Sequence, residues 1–378
     1  MGPAGVLLVA GEASGDRIAG LAARELAKDG ARLFGVGGSA CRAAGVELVA
    51  STEDLGLMGL GDAVARLPPL GRVVARLAAR VARRPPRAAL LVNYTELNQR
   101  LGAALRRRGV KVLWCVAPQA WAWRPGRLHS LGGSFDRLAV ILPFEEPLWR
   151  GAGHDARFVG HPSLEIPTRS REELRARLGV PPEAEAIAVL PGSRAGEIAR
   201  LAPALTEAAS RLRAKRPGAY AAVIVAPGLS PEARAACLRA ARSAGLPAID
   251  GDPDHGAAPL LPAFDVSLVA SGTASLEAAL AGASPVVTYR LGSLSYAVAR
   301  RLVKVPHIAL PNVLLGRRAY PEVLQDDLTP ERLTREATRL LERRDEAVTE
   351  AAALRALLRS PSPHPFGARV AALVRDWL

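Results

Sequence analysis

The chain of 378 residues has few cysteines, few aromatic residues and almost no lysine. Its three cysteines, Cys41, Cys115 and Cys237, lie far apart and show neither disulfide nor zinc-site spacing. Long apolar runs are also missing, because no segment reaches the roughly 20 residues of a membrane helix. The N-terminus lacks the basic and apolar segments of a signal peptide. We therefore expect a protein of the reducing cytoplasm that neither crosses a membrane nor is secreted.

The formal net charge is +14, and nearly all of the basic residues are arginine. Because the planar guanidinium group binds phosphate through two hydrogen bonds, this charge favours anionic partners. A GC-rich genome explains the same arginine excess, so charge alone selects no function. Nucleic acid is not an expected partner, because no recognised binding motif accompanies the charge. The six histidines lack metal-ligand spacing, and we expect no metal and no cofactor.

Apolar segments of strand length alternate with helical patterns along the chain, which predicts an α/β fold. Such strands, apolar throughout, are typical of parallel sheets covered on both faces. The length favours two lobes with a cleft between them. The predicted strands are residues 6–10, 32–36, 88–93, 110–116, 137–142, 157–159, 186–190, 221–225, 247–250, 266–270 and 285–288.

Four prolines surround a charged stretch in residues 161–182, and we place the lobe boundary there. The first lobe then comprises residues 1–165 and the second residues 166–363. A proline-rich break after Ser360 precedes a short final helix.

Ligands of parallel sheets bind beyond the carboxyl ends of the strands, so the candidate residues are those that follow strands. In the second lobe, Gly192–Arg194 precedes a helix that opens near Glu197, where N–H groups and a guanidinium can dock a diphosphate. Ser271–Thr273 forms a similar turn, and Glu277 one helical turn later can hold ribose hydroxyls. Ordinary capped turns and a carboxylate near a helix N-terminus explain the same patterns.

In the first lobe, the turn Gly11–Asp16 matches neither the dinucleotide fingerprint nor the P-loop, which disfavours NAD and ATP. Glu12 and Asp16 either face the cleft or cap the next helix. Glu96 is the only carboxylate in the turn 93–98, where it serves as a general base or as an ordinary first-turn helix residue.

Trp121 and Trp123 lie in one short loop, where their rings either pack on sugar or acyl groups or fill the core. The segment 63–84 combines an apolar stripe with six arginines, so it either lies on an anionic bilayer or is a solvated helix against the core. Pro68 and Pro69 interrupt it, and we expect the helix to begin afresh at Leu70. Asp252-Pro253-Asp254 resembles a paired-aspartate metal clamp only weakly, and we interpret it as a loop.

Nine motifs together resemble the lipid-A-disaccharide synthase family in order and spacing, nearly from end to end. These motifs are Gly11–Asp16, Gly35–Gly38, Met58–Leu60, Ala117–Arg124, Leu142–Glu145, Val159–Pro162, Leu190–Arg194, Ser271–Glu277 and Leu310–Asn312.

The resemblance implies two Rossmann-like lobes of the GT-B architecture, with the last helix, 364–378, crossing back to complete the first lobe. It also implies metal-independent, inverting transfer at the inner face of a Gram-negative inner membrane by a cytoplasmic, peripheral protein. The donor would be UDP-2,3-diacylglucosamine and the acceptor 2,3-diacylglucosamine 1-phosphate. A homodimer is compatible with this expectation.

The resemblance and the loop positions together assign the candidate residues to three groups. The UDP-sugar group is Gly192, Ser193, Arg194, Ser271, Gly272, Thr273, Glu277 and Asn312. The acceptor or cleft group is Glu12, Ser14, Asp16, Trp121, Trp123, Arg124 and His161. The catalytic group is Asn93 and Glu96.

The chain departs from the family pattern after the strand that ends near Asn93. The family has Asp-x-Pro-Asp-Phe-Asn there, and its first Asp is the expected catalytic carboxylate. This chain has Asn93 in that position, while Glu96 and Asn98 keep the later polar positions. Either Glu96 takes over as the base or activity falls, and a divergent paralogue that binds UDP-sugar or lipid without efficient transfer is the alternative. A further alternative is another two-lobed enzyme, such as a nucleotide-sugar epimerase or a cell-wall precursor transferase.

Overall fold

The structure is a computed structural model that describes residues 5–52, 67–119, 121, 126–292 and 306–378, with only the backbone described at 67–70, 96 and 127. The chain forms two compact units. Unit 1 comprises Met1–Glu165 and Leu358–Leu378, and unit 2 comprises Ile166–Leu357. The chain thus returns to unit 1 before His364, where the sequence places the final helix. The backbone N–H of His161 donates to the carbonyl of Leu358 at 3.1 Å and ties this return to unit 1.

Unit 1 contains a parallel sheet of seven described strands in the order β3-β2-β1-β4-β5-β6-β7. Its strands are β1 Gly5–Ala10, β2 Arg32–Gly37, β3 Glu47–Ser51, β4 Ala88–Val92, β5 Lys111–Cys115, β6 Arg137–Val140 and β7 Ala156–Phe158. Side chains alternate between two separate apolar cores, with Leu7 and Val9 on one face of β1 and Val6 and Leu8 on the other. This alternation explains why the strand is apolar at every position.

The described helices of unit 1 cover both faces of the sheet. They are α1 Ala13–Lys28, α2 Ser39–Ala43, α3 Leu67–Arg83, α4 Thr95–Arg106, α5 Arg127–Leu131 and α6 Glu145–Gly151, with 3₁₀ turns at Gly132–Ser134 and Pro162–Glu165. The expected helix start at Leu70 is wrong, because residues 67–69 are already helical in α3. Pro68 and Pro69 lie within the described part of α3 and do not end the helix.

Unit 2 contains a parallel sheet of six described strands in the order β10-β9-β8-β11-β12-β13. Its strands are β8 Ala186–Leu190, β9 Tyr220–Val225, β10 Ala248–Asp250, β11 Val266–Ala270, β12 Ser284–Tyr289 and β13 Glu322–Leu324. Two apolar cores lie on its two faces, as in unit 1.

The described helices of unit 2 are α7 Arg171–Leu178, α8 Ala195–Lys215, α9 Pro231–Ser243, α10 Thr273–Leu280, α11 Leu310–Leu315, α12 Pro330–Glu342 and α13 Arg344–Leu358, with 3₁₀ turns at Leu261–Ala263 and Gln325–Asp327. Helix α7 is fixed by a buried ion pair, since Arg175 Nη2 lies 3.0 Å from Asp265 Oδ2. Among the described helices, none combines the length and the apolar composition that crossing a bilayer requires.

The last helix, α14 Phe366–Arg375, packs on unit 1 against α1. A Cβ atom on Gly367 would lie 2.4 Å from the carbonyl oxygen of Leu21, so only glycine permits this close approach. Both carboxylate oxygens of Glu165 accept from the backbone N–H of Phe366 at 2.8 Å. Glu165 also pairs with Arg369, at 2.9 Å. A carboxylate at the helix N-terminus stabilises α14 through its free N–H groups and its dipole.

Candidate functional site

The six strands of the unit 2 sheet follow the same order as the first six strands of unit 1, and each sheet has one point where the direction of winding reverses. In unit 1 that point lies between β1 and β4, and in unit 2 it lies between β8 and β11. Open α/β sheets bind ligands at the carboxyl ends of the strands at such points. The candidate turns Gly11–Asp16 and 93–98 follow β1 and β4, while Gly192–Arg194 and Ser271–Thr273 follow β8 and β11. The structure therefore brings the predicted turns together in pairs, one pair in each unit.

In unit 1 the two turns are in direct contact. A Cβ atom on Gly11 would lie 2.8 Å from the ring of Tyr94, so the absence of a side chain lets the tyrosine lie against the β1 turn. A Cβ on Gly15 would lie 3.7 Å from the Cβ of Asn93, an ordinary contact distance. Asn93 thus lies beside the first turn of α1.

Three residues with strained backbone follow β4 and β5. Asn93, Tyr94 and Val116 have φ angles of 54°, 46° and 64°. This left-handed region is uncommon for residues other than glycine, and for a β-branched residue such as Val116 it is a clear outlier. Strain of this kind collects at functional sites, where the surrounding structure imposes it. Strained backbone of this kind is thus present at the carboxyl edge of the unit 1 sheet.

Asn98 anchors the strained turn from the first part of α4. It is fully buried, and its Nδ2 donates to the carbonyl oxygen of Asn93. Its Oδ1 is buried without a hydrogen-bond partner. The backbone of Glu96 lies in the first turn of α4, and its side chain is outside the described residues. Asn98 therefore acts on residue 93 by fixing the backbone that carries it.

Asp16 is buried, and its carboxylate accepts hydrogen bonds from backbone N–H groups. Its Oδ1 accepts from the N–H of Gly38 at 2.6 Å and of Cys41 at 3.1 Å, and its Oδ2 accepts from the N–H of Ala40 at 2.9 Å. A Cβ on Gly38 would lie 2.8 Å from Asp16 Oδ2, which explains the glycine. The carboxylate caps α2 and holds the loop after β2.

Glu12 and Ser14 are the half-buried polar residues of the same turn. Glu12 occupies the N-cap position of α1 with an extended backbone, and its side chain makes no capping hydrogen bond. Its carbonyl instead accepts from the N–H of Asp16 at 2.8 Å. The side chains of Glu12 and Ser14 are thus more open to solvent than that of Asp16.

Trp121 is held by a buried carboxylate that the sequence did not single out. Its Nε1 donates to Glu145 Oε1 at 3.2 Å, and its ring packs edge to face on Phe144 with centroids 4.9 Å apart. Glu145 is 2% exposed, and burial raises its pKa to about 7 against the opposing hydrogen bonds from Trp121 and from backbone groups that include Leu142. Trp123 and Arg124 lie outside the described residues. The only sequence sign of Glu145 was its place in the motif Leu142–Glu145.

His161 is 2% exposed, and burial lowers its pKa to about 4. Its Nδ1 accepts from the backbone N–H of Ser163 at 3.2 Å, and its own backbone N–H is bonded to Leu358. The ring is therefore neutral at pH 7, and it fixes the segment where the chain leaves unit 1.

In unit 2, the turn after β8 is closed over a carboxylate of its own helix. The backbone N–H of Ser193 donates to Glu197 Oε2 at 3.3 Å, and Arg194 Nη1 donates to Glu197 Oε1 at 3.2 Å. Ser193 and Arg194 are exposed. Gly192 has a φ of 118°, a conformation that favours glycine. The turn presents an N–H group and a guanidinium at the start of the 21-residue helix α8, which is a favourable place for an anion.

The turn after β11 opens the neighbouring helix, α10. Ser271 donates its backbone N–H to the carbonyl of Thr288 at 2.8 Å, while Gly272 and Thr273 are exposed. Ser275 Oγ donates to the carbonyl of Gly272 at 2.7 Å and fixes the turn. Glu277 lies in α10 and is 9% exposed. The exposed part of this turn is thus its glycine and its threonine.

Asn312 is fully buried, and its amide is bonded to the protein itself. Its Nδ2 donates to the carbonyl of Tyr320 at 2.9 Å and to Glu322 Oε1 at 2.8 Å, and its Oδ1 accepts from the N–H of Tyr320 at 2.9 Å. Glu322 also accepts from the N–H groups of Ile308 and Ala309 before α11. Both amide donors are used, so Asn312 shapes the segment around α11 and has no N–H left for a ligand.

A cavity of about 230 Å³ opens at the carboxyl ends of β9 and β10, one strand beyond the Gly192 turn. It is lined by apolar side chains and glycines, with an ion pair in which Arg234 Nη1 lies 2.6 Å from Asp250 Oδ1. Its lining residues are Val225, Ala226, Pro227, Gly228, Leu229, Arg234, Asp250, Gly251 and Pro253. A flat ring that packs on apolar side chains and glycines fits such a space.

Asp252 forms a local turn, as the sequence indicated. Its Oδ1 accepts from the backbone N–H groups of Asp254 at 2.9 Å and His255 at 2.8 Å. Across the described ranges, no group of three His, Cys, Asp or Glu side chains is placed to hold a metal ion.

A model of the lipid-A-disaccharide synthetase family matches residues 6–363. The chain belongs to this family. Its relatives include the lipid-A-disaccharide synthase of Anaeromyxobacter dehalogenans strain 2CP-1, 44% identical over 353 residues, which are 93% of this chain and 91% of the relative. The synthase of Myxococcus xanthus strain DK1622 is 41% identical over 343 residues, 89% of this chain and 88% of the relative.

Solved structures of two-lobed enzymes share the fold. The UDP-GlcNAc 2-epimerase of Neisseria meningitidis, bound to UDP-GlcNAc, has a TM-score of 0.63 at 12% identity and covers 98% of this chain and 99% of its own. MurG of Acinetobacter baumannii has a TM-score of 0.56 at 16% identity and covers 99% and 100%. These likenesses show the fold alone, so they do not separate an epimerase from a transferase.

The comparisons confirm the predicted α/β fold with two parallel sheets, the family, and a glycosyltransferase of lipid A biosynthesis. They do not favour the non-catalytic paralogue, because relatives matched over most of the chain have the name of the synthase.

Proposed function

We propose that this protein transfers 2,3-diacylglucosamine from UDP-2,3-diacylglucosamine to 2,3-diacylglucosamine 1-phosphate and releases UDP. The observation that supports the donor half is the turn after β8, where Arg194 and a backbone N–H converge on one carboxylate at a helix N-terminus. A nucleoside diphosphate needs such an anion site. Family membership supports the lipid substrates.

The donor binds unit 2 in this proposal. Gly192, Ser193 and Arg194 hold the diphosphate, and the uracil ring occupies the cavity beyond β9 and β10, one strand away. The exposed turn Ser271, Gly272 and Thr273 contacts the sugar or the phosphate, and Glu277 holds ribose hydroxyls. Asn312 acts by position, because its amide is already used within the segment around α11.

The acceptor binds the carboxyl edge of unit 1. Glu12 and Ser14 are its proposed polar contacts, and Trp121, Trp123 and Arg124 meet its sugar, acyl chains or phosphate. Asp16 and His161 are positioning residues, since the first holds the loop after β2 and the second is buried and neutral.

Glu96 is the proposed general base, because Asn93 cannot accept a proton from a sugar hydroxyl at neutral pH. The carboxylate takes the proton from the 6-hydroxyl of the acceptor, and that oxygen attacks the anomeric carbon of the donor. The bond from the anomeric carbon to the diphosphate oxygen breaks, and UDP leaves with the electron pair. Arg194 and the N–H groups of its turn stabilise the negative charge that develops on the diphosphate.

Replacing Arg194 with Ala is expected to weaken UDP binding on the order of tenfold, the usual effect of losing one charged hydrogen bond. Isothermal titration with UDP measures the change. Arg213→Ala is the matched control, because Arg213 is exposed near the other end of the same helix. A wild-type protein without measurable affinity for UDP would contradict the donor site. UDP binding without disaccharide formation from the two acylated sugars, with EDTA present, would instead support the binder.

We also propose that α3 places the protein on the anionic inner face of the inner membrane, as a peripheral cytoplasmic enzyme. Val73, Leu77 and Val81 lie in the core of unit 1, so these three apolar residues of α3 are used there. The side that remains exposed presents Arg72 and Arg76. Contact with a bilayer is therefore mainly electrostatic and acts through arginines on lipid phosphates.

Binding to vesicles that contain anionic phosphatidylglycerol is expected to fall steeply with salt, because the Debye length shrinks from about 10 Å at 0.1 M to about 3 Å at 1 M. Arg72→Gln with Arg76→Gln should weaken binding by roughly 1 kcal/mol per arginine. Vesicle sedimentation measures both effects. Replacing Arg239 and Arg242 of α9 with Gln provides a charge-matched control on unit 2. Salt-independent binding, or an equal effect of both pairs, would contradict the proposal.

A further inference from the structure

The carboxylate of Glu197 occupies the donors that we assign to the diphosphate. It accepts from the backbone N–H of Ser193 at 3.3 Å and from Arg194 Nη1 at 3.2 Å. The Arg194 side chain is 46% exposed and the Glu197 side chain 21% exposed, so the pair lies at the surface, where a ligand can reach it. A built-in anion thus lies on the proposed anion site.

The turn is shaped to hold this carboxylate. A Cβ atom on Gly192 would lie 2.7 Å from Glu197 Oε2 and 2.9 Å from its Cβ, so a side chain there would push Glu197 away. Gly192 has a φ of 118°, where only glycine is free of strain. Glu197 is the third residue of α8 and reaches back over the helix N-terminus, where a negative charge is favourable.

The diphosphate and the Glu197 carboxylate cannot both accept from the same few donors, because two negative charges so close together repel each other. The diphosphate must therefore displace the carboxylate of Glu197 when it binds Ser193 and Arg194. Arg200 lies three residues further along α8, where a displaced Glu197 side chain can pair with it. A Cβ atom on Gly196 would lie 3.3 Å from Arg200 Nη1, so the Arg200 guanidinium reaches back towards the start of α8.

We infer that Glu197 is an internal competitor of the nucleoside diphosphate, which fills the anion site when UDP leaves and speeds product release. The inference rests on the proposed donor site. Glu197 is a residue that tunes affinity for the leaving group, and it takes no part in the bond-making step. Competition from Glu197 lowers the affinity for UDP and raises the rate at which UDP is released.

Glu197→Gln keeps the size of the side chain and removes its charge. UDP is expected to bind this variant roughly fivefold more tightly, which corresponds to an exposed ion pair of up to about 1 kcal/mol. The dissociation rate of UDP, followed by stopped flow with a displacing excess of unlabelled UDP, should fall by the same factor. The gain should shrink in high salt, and uridine, which has no charge, should bind the variant and the wild type equally.

Glu207→Gln is the matched control, because Glu207 lies further along α8 and pairs there with Arg211. Glu197→Ala is the second variant, and it should also tighten UDP binding, since it removes the competing charge altogether. Unchanged or weaker UDP binding in a folded Glu197→Gln protein overturns the inference, and Glu197 then only orients the turn. If wild-type protein does not bind UDP at all, the proposed donor site fails, which is a separate result.

Discussion

Glu96→Gln is expected to lower kcat by about 10²- to 10⁴-fold, the usual effect of losing a general base. The reason is that Asn93 stands where the resemblance to the family places the expected catalytic aspartate, and Glu96 is the carboxylate that remains in the turn. Affinity for UDP should not change, because Glu96 belongs to unit 1 and the proposed donor residues belong to unit 2. Initial rates of disaccharide formation at saturating substrates measure the effect.

The double variant Asn93→Asp with Glu96→Gln tests whether position 93 can take the role back. Its rate is expected to recover much of the lost activity, since Asn98 and the turn hold the backbone of residue 93 in place. Asn93→Asp alone should change the wild-type rate little, because one base is sufficient. A Glu96→Gln protein that keeps a wild-type rate would show that the base lies elsewhere. Rescue of an inactive wild type by Asn93→Asp alone would support the degenerate binder.

Glu145→Gln is expected to stabilise the protein at alkaline pH. Burial raises the pKa of Glu145 from 4.5 to about 7, so the folded state holds the proton more tightly than the unfolded state. Its contribution to stability is present below the unfolded pKa and is lost as pH rises through 7. The advantage of the variant should therefore grow by about 2 to 3 kcal/mol between about pH 5 and pH 8.5. Urea denaturation at both pH values measures the free energy of unfolding.

The effect of Glu145 on the free energy of unfolding must be measured by comparison with a variant, because His161 has the opposite pH dependence in the wild type. The pKa of His161 is lowered from 6.5 to about 4, so its contribution is present above pH 6.5 and is lost as pH falls towards 4. In the wild type, the pH dependence of stability that comes from Glu145 and that from His161 have opposite signs and partly cancel. Glu25→Gln is the control, since Glu25 forms a surface pair with Lys28 and should show no such trend. A pH-independent difference between Glu145→Gln and wild type would contradict the raised pKa.

Strands in the middle of each sheet could be predicted closely because burial on both faces makes them apolar throughout. Ala186–Leu190 and Val266–Ala270 have the predicted bounds. Strands β3 and β13 were not predicted; each lies at a sheet edge and has one buried position, Ala50 in β3 and Val323 in β13. The edge strands β7 and β10 overlap predicted strands, so an edge position weakens the apolar signal without removing it.

The candidate turns could be located from the sequence, because a turn after a parallel strand lies at the ligand edge whatever its side chains do. The hydrogen bonds within these turns could not be predicted from the sequence. Nothing local distinguishes Asp16, which caps α2, from Glu12, whose side chain does not cap its helix. The environment of Glu145 depends on Trp121, which lies 24 residues earlier in the chain and packs on Phe144. Glu197 looked like a helix start, and only its distances to Ser193 and Arg194 reveal the competition.

The placement of α14 has a consequence for biosynthesis. The helix packs on α1 near the start of the chain, yet the ribosome makes it only after the whole of unit 2. Until then, the apolar side of α1 that includes Ala19, Ala23 and Leu26 lacks Phe366 and Val370, which share its core. Nascent unit 1 therefore emerges with this apolar surface uncovered. Chains in such a state bind chaperones and aggregate. The first unit to be translated is the last to be completed.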